Sequence, residues 1–430
     1  MVDGAANEPM ATKALALLKA LVAAQPDGEA AVQAIIADRL RAAGCTVEEV
    51  TYEPGAVELI GEFASDAVRN AEVRTAVVGR LPGDAAKASM LMFAHPDGEP
   101  ADDTSGWTRP AFEATEDGGR LYGWGVADDL AGCASAVLAI EEAAKTPGLG
   151  DIIFASTPSK RHARGVSALL RKGLTADASL YLHPAESGVG MREIKNLASG
   201  QLEFKVMVAG GLPPTTEPGH TAFSHLAENA IDKFVILHAA LKALAADRAA
   251  RIRHPMIEAE VGRATNLHIA TVACGPMKKF SRLNTVLEFG GAIAFPPGET
   301  LDEVKAEVEG AIASAAAADP WLANNPPVVT WLSGVTGAEV TMDSPLWQVS
   351  SAAVERVTGA PPHVNPMHTS SDIRNPMVQA GIPCVGLGCL GGDLSQNGRH
   401  DEWVDTADFI RMVDVAAAVT TDWCSRPRGA

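Results

Sequence analysis

Long apolar runs, paired cysteines and an excess of positive charge are all missing from this sequence. No uncharged apolar stretch approaches the roughly 20 residues that span a bilayer, so no membrane helix is expected. The opening MVDGAANEPM has no basic segment followed by an apolar one, and no secretory leader is expected either. The six cysteines, Cys45, Cys133, Cys274, Cys384, Cys389 and Cys424, form no CxxC pair and read as reduced cytoplasmic thiols. Acidic residues outnumber basic ones, 53 against 35, for a formal net charge of −18. That balance argues against nucleic acid or an anionic membrane as a partner. Neither an internal repeat nor a low-complexity tract is found. A soluble cytoplasmic protein is the expectation.

What is present fits a large globular chain. Its 430 residues are too many for one ordinary core, so two domains, or one with a large insertion, are expected. In the first half, helical patterns (MATKALALLKALVAA, EAAVQAIIADRLRAAG, DLAGCASAVLAIEEAAK) alternate with short apolar runs (RTAVVGRL, SMLMFAH, DIIFAS, ASLYLH). Such alternation implies an α/β fold, a mainly parallel sheet with helices on both faces. Near Gly200 the pattern changes. QLEFKVMVAG, TNLHIATVACG and NTVLEFGGAIAF read as antiparallel strands, with two long helices between and after them. An inserted α+β domain, two helices on a four-stranded sheet, is expected over 200–319, between catalytic parts at 1–199 and 320–430. VVTWL and IPCVGLG are read as strands of the resumed catalytic layer.

In open α/β sheets, ligands bind beyond the carboxyl ends of the strands. His95 and Asp97 stand at such an end in AHPDG, and His183 and Glu186 at another in LYLHPAES. Asp128 and Asp129 lie between a glycine-rich turn and a helix in LYGWGVADDLAG, where an aspartate could equally be a helix cap. His400, Asp401 and Glu402 precede the last helix in QNGRHDEWVD. Four such clusters at one sheet edge point to a metal centre, and imidazole with carboxylate suits Zn, Mn or Co.

The order of AHPD, GWGVADDLAG, the turn after DIIFAS, GH…ENAI, TSSDIR…AGIPCVGLG and RHDEWV resembles the aminoacylase, acetylornithine deacetylase and glutamate carboxypeptidase family. The resemblance implies a zinc-peptidase-like α/β domain with an inserted α+β lid that forms a homodimer. It implies that His95 is a metal ligand, Asp97 the residue orienting it, and Asp128 the carboxylate bridging two metals. His183 falls where a Glu or Asp ligand is usual, with Glu186 as its alternative. His400 matches the last histidine ligand. His220, with His225 as competitor, matches the lid histidine that steadies the oxyanion in a neighbouring site.

One turn departs from the family. Lys160 and Arg161 replace two consecutive glutamates, the general base and a ligand of the second metal. Neither cation ligates Zn or Mn. One divalent metal per chain, on His95, Asp128 and His183, is therefore expected, with His400 as base or proton shuttle and Glu186 and Glu402 as runners-up. Lys160, Arg161 and Arg374 are candidates to hold a substrate carboxylate, although the basic turn could simply be solvated. Loss of the glutamates favours a different C–N bond. In one branch of the family hydroxide replaces the amino group of an aromatic amine such as 5-nitroanthranilate, giving 5-nitrosalicylate and ammonia. The alternatives are hydrolysis of an N-acyl amino acid or dipeptide, and a non-catalytic binding protein on a decayed hydrolase.

Overall fold

The computed structural model describes residues 9–69, 72–98, 104–367 and 372–429, with the backbone alone for Arg161 and Met367. Four of the apolar runs, Met90–Ala94, Ile152–Ser156, Ala178–Leu182 and Cys384–Leu387, are buried at every position. Strands covered on both faces need such continuous apolar sequence. They pair in parallel in the order Ile152–Ser156, Met90–Ala94, Ala178–Leu182, Cys384–Leu387. Antiparallel strands extend this sheet on both sides, Arg74–Leu81 and Thr46–Tyr52 on one, Glu193–Ala198 and Ala338–Glu339 on the other. His363–Met367 lies parallel to Glu193–Ala198.

Helices Met10–Ala24, Glu29–Ala42, Ala131–Ala143, Pro345–Thr358 and Thr406–Cys424 pack on one face. Gly165–Arg171 and Arg374–Ala380 pack on the other. This is the α/β arrangement expected from the alternation of patterns. Among the described residues no helix is long and apolar enough to cross a membrane.

The second sheet is antiparallel, in the order Asn266–Ala273, Val286–Phe295, Gly200–Ala209, Val328–Val335, Glu62–Ala64. Helices Ala230–Arg251 and Leu301–Ala318 cover it through Leu237, Leu241, Val304 and Val308 against Phe204 and Phe289. The second helix starts at a capping box between Thr300 and Glu303. The sheet differs from the expected four strands within 200–319. VVTWL belongs to Val328–Val335, which pairs with Gly200–Ala209 instead of resuming the first sheet, and Glu62–Ala64 joins from the N-terminal part. An apolar run marks a strand and does not show which sheet it enters.

Candidate metal centre

Three adjacent parallel strands end on one edge of the first sheet. His95 follows Met90–Ala94, the basic turn follows Ile152–Ser156, and His183 follows Ala178–Leu182. Asp128 and Asp129, joined by a cis peptide, lie just ahead of Ala131–Ala143. Gly132 lets that helix seat against the sheet, since a Cβ there would fall 2.0 Å from the Leu182 carbonyl oxygen. Glu402, fully buried, fixes the turn from below. Its carboxylate accepts from the backbone N–H groups of Gly125, Ala127 and Asp128 at 3.2, 2.9 and 3.1 Å, and from Ser395 N and Oγ.

The side chains converge. His183 Nδ1 stands 2.7 Å from Asp129 Oδ1 and 3.5 Å from Asp128 Oδ1. His95 Nδ1 meets the Thr157 carbonyl at 2.6 Å, which leaves Nε2 facing Asp372 Oδ2 at 3.0 Å and Asp129 Oδ2 at 3.8 Å. Neither His95 Nε2 nor Asp128 Oδ1 has an aligned hydrogen bond, although both are buried. Asp128, Asp129 and His183 each place one ligand atom within 4.8 Å of the others, the one such trio among the described residues. Ligands about 2.0–2.2 Å from a tetrahedral ion stand roughly 3.3–3.6 Å apart; the 3.5 Å between His183 and Asp128 matches that spacing, while the 2.7 Å between His183 and Asp129 is a hydrogen bond that an ion would have to replace. The imidazole and carboxylate donors suit a divalent cation.

Charge is concentrated in a largely buried cluster. Burial alone would depress both imidazoles. Asp372 and Asp129 nevertheless push His95 up to about 9, and Asp129 with Glu186 pushes His183 up to about 10. Lys160 Nζ donates to Asp128 Oδ2 at 2.6 Å. Burial opposes charge on both groups, yet the pair holds Asp128 well below the usual carboxylate range and Lys160 above the usual ammonium range. Tyr181 underlies the cluster, stacked on Phe93 and His183, and its hydroxyl donates to Asp129 Oδ2 at 3.2 Å.

Several expected roles change. Asp97 does not orient His95. It accepts from the N–H groups of Ser159 and Lys160 at 2.8–3.1 Å and pairs with Arg74, so it clamps the turn that aims Lys160 at Asp128. Arg374 is not free to hold a substrate: it is 2% exposed, and its guanidinium is engaged by Thr336, Gly61, Glu62 and Asn375. Glu402, a runner-up as base, is enclosed as a scaffold. His400 is exposed, with its ring over Gly106 and outside the ligand trio. His220 lies beside the second sheet and caps the short turn Thr221–Leu226, where its Nδ1 accepts from Ala222 N–H. Glu186 stands by, 3.7 Å from His183 Nε2. The Arg161 side chain and residues 369–371 of TSSDIR lie outside the described residues.

Sequence reasoning missed Asp372 and Tyr181 and gave Asp129 no ligand role. Asp372 lay within a quoted motif, and Asp129 adjoined an expected ligand. A tyrosine inside an apolar strand carries no comparable signal.

The Peptidase family M20/M25/M40 matches residues 91–422. The chain belongs to this family. Succinyl-diaminopimelate desuccinylase of Rhodopseudomonas palustris (strain BisB5) is 27% identical over 403 residues, covering 91% of this chain and 92% of its own. Human carnosine dipeptidase 1 shares the fold with a TM-score of 0.68 at 16% identity, over 96% of each chain. A dinuclear metal binding peptidase of family M20 from Bacillus subtilis does so at 0.60 and 13%, over 96% of this chain and 99% of its own. This M20 chain is thus a metallopeptidase-like hydrolase with a candidate site for a divalent metal.

Proposed function

We propose that the chain hydrolyses a C–N bond of a small carboxylate-bearing substrate, using one divalent ion, Mn or Zn, held by His183, Asp128 and Asp129 with His95 alongside. The observation that carries this reading is the buried donor trio at the strand ends. One ion rather than two is favoured because the Lys160 ammonium occupies the free side of Asp128, where a second cation would need to sit. A bound divalent ion supplies Lewis acidity and lowers the pKa of a water at its open position. Glu186, 3.7 Å from His183 Nε2, is the group best placed to accept a proton beside the trio. It is 34% exposed and, although burial opposes ionisation, Lys195 and His183 keep its pKa lowered, so it is a carboxylate at neutral pH.

The amide of an N-acyl amino acid or a dipeptide is the first reading, supported by the desuccinylase and dipeptidase relatives. A second reading, hydrolytic deamination of an aromatic amine such as 5-nitroanthranilate, is favoured by one observation: a cation fills the turn where the family's glutamate base is expected. Of the cations proposed to hold the substrate carboxylate, Lys160 and Arg374 have internal partners, and the Arg161 side chain lies outside the described residues. A homodimer through the second sheet is supported by Val272, Met277 and Phe280, which are 51%, 89% and 81% exposed on its edge strand and the following loop. His220 pairs with Arg282 beside that loop and is proposed to serve the partner's site. The six cysteines are all free, which supports a reducing, cytoplasmic setting.

The test is turnover of an N-succinyl amino acid, a dipeptide and 5-nitroanthranilate by chelated protein reloaded with Mn or Zn. Ammonia release from the nitroanthranilate alone would select the second reading. Turnover of none, with metal bound, would sink both.

A further inference from the structure

Three segments connect the two sheets. The chain passes from Glu193–Ala198 to Gly200–Ala209 at Ser199, and returns from Val328–Val335 to Ala338–Glu339 at Thr336 and Gly337. Glu62–Ala64 reaches across from the N-terminal part. One side chain holds two of these crossings. Arg374 Nε donates to the Thr336 carbonyl at 2.6 Å, and Nη2 donates to Thr336 Oγ1 at 3.2 Å and to the Gly61 carbonyl at 3.1 Å. Nη1 donates to Glu62 Oε2 at 2.9 Å and to Asn375 Oδ1 at 2.8 Å. A planar guanidinium with five donors in a fixed fork suits this task, and an ammonium could not span it.

The contacts do not stop at the junction. Asn375, also buried, donates from Nδ2 to Asp372 Oδ1 at 3.0 Å. The other oxygen of Asp372 accepts from Ser159 Oγ at 2.8 Å and faces His95 Nε2 at 3.0 Å. Asn375 can bond both neighbours because its amide presents an acceptor to Arg374 and a donor to Asp372. An unbroken line of buried and half-buried polar contacts therefore runs from the sheet junction to the open nitrogen of His95.

We propose that Arg374 and Asn375 are positioning residues that tie the geometry of Asp372 and His95 to the junction between the two sheets. A shift of the second-sheet body at Gly61–Glu62 or Thr336 then moves the carboxylate that faces His95. The metal readout of this inference rests on the proposed function, and the ring readout does not.

The test uses the full chain labelled with ¹³C at histidine Cε1, as wild type, Asn375→Asp and Arg374→Lys. Asn375→Asp keeps an acceptor for Arg374 but sets a second carboxylate against Asp372. Arg374→Lys keeps the charge and loses the fork. In chelated protein both variants are expected to shift the His95 resonance. Only Arg374→Lys is expected to speed amide hydrogen exchange at residues 61–64 and 333–338. On titration with Mn(II), both variants are expected to lose affinity by about tenfold, the lower end for groups that support metal ligands. An unshifted His95 resonance in both variants would overturn the relay, as would wild-type Mn(II) affinity in both. Faster exchange in Arg374→Lys with His95 and Mn(II) affinity unchanged would reduce the arginine to a structural strut and overturn it too. Wild type that binds neither Mn(II) nor Zn(II) would defeat the proposed function, while the resonance shifts would still decide the relay.

Discussion

Replacing Glu402 by Gln removes one charge and turns one acceptor into a donor at the base of the Asp128 turn. Oε1 holds Ala127 and Asp128, and Oε2 holds Gly125 and Ser395. An amide oriented to keep the first pair would point its NH2 group at the N–H groups of Gly125 and Ser395. Two buried backbone donors would lose their acceptor, at about 1–3 kcal/mol each, so a loss of roughly 4 kcal/mol is expected. That is a large part of the 5–15 kcal/mol typical of a folded protein. Urea denaturation of chelated wild type and variant measures it. Because the same bonds fix Asp128, metal affinity should fall about tenfold or more as well. A variant within about 1 kcal/mol of wild type, with unchanged metal affinity, would refute the scaffold role of Glu402.

Three further outcomes are expected. Glu193 is 1% exposed, and although burial opposes its charge, Lys195 and the N–H groups of Ser187 and Glu186 bring its pKa down to about 2 from an ordinary 4.5. A depressed carboxyl stabilises the fold above its unfolded pKa and loses that contribution as pH falls through its folded one. Glu193→Gln should thus be about 3 kcal/mol less stable at pH 7, with the gap closing between about pH 4.5 and pH 2 in denaturant titrations. A pH-independent gap would contradict this. Gly132→Ala should cost about 3 kcal/mol or more, because the new methyl would meet the Leu182 carbonyl at 2.0 Å; a fully stable variant would show that the helix can move off the sheet. Tyr181→Phe keeps the stack on Phe93 and His183 but removes a donor from Asp129, so a loss of about 1–2 kcal/mol by calorimetry is expected, and none would mean that Asp129 is otherwise satisfied.

Much of this was legible in the sequence, for physical reasons. Strands buried on both faces are mostly apolar, so Met90–Ala94, Ile152–Ser156 and Ala178–Leu182 stood out, and the polar residues after them fell on one edge. His95, Asp128 and His183 were placed on that edge in this way. Glu193–Ala198 was overlooked because it carries Glu193 and Lys195 into the core, where they neutralise each other and hold the His183 loop. Asp97 and Arg374 were assigned wrong partners because spacing places a residue without giving the direction of its side chain. The second sheet gained strands from 62–64 and 328–335 because strand pairing is a long-range choice that no local pattern records. Lys160 stood out as a cation in a turn expected to carry carboxylates, but its bond to Asp128 could not be read from the chain.

The most direct test of a single metal centre with a lysine on Asp128 is metals per chain. Chelated protein would be saturated with Mn(II) or Zn(II), freed of excess ion and measured by elemental analysis, alongside Lys160→Glu. One ion in wild type, and a gain toward two in the variant, is the expected result. Two ions in wild type would mean that Lys160 does not hold that side of Asp128, and the account of this site would fail.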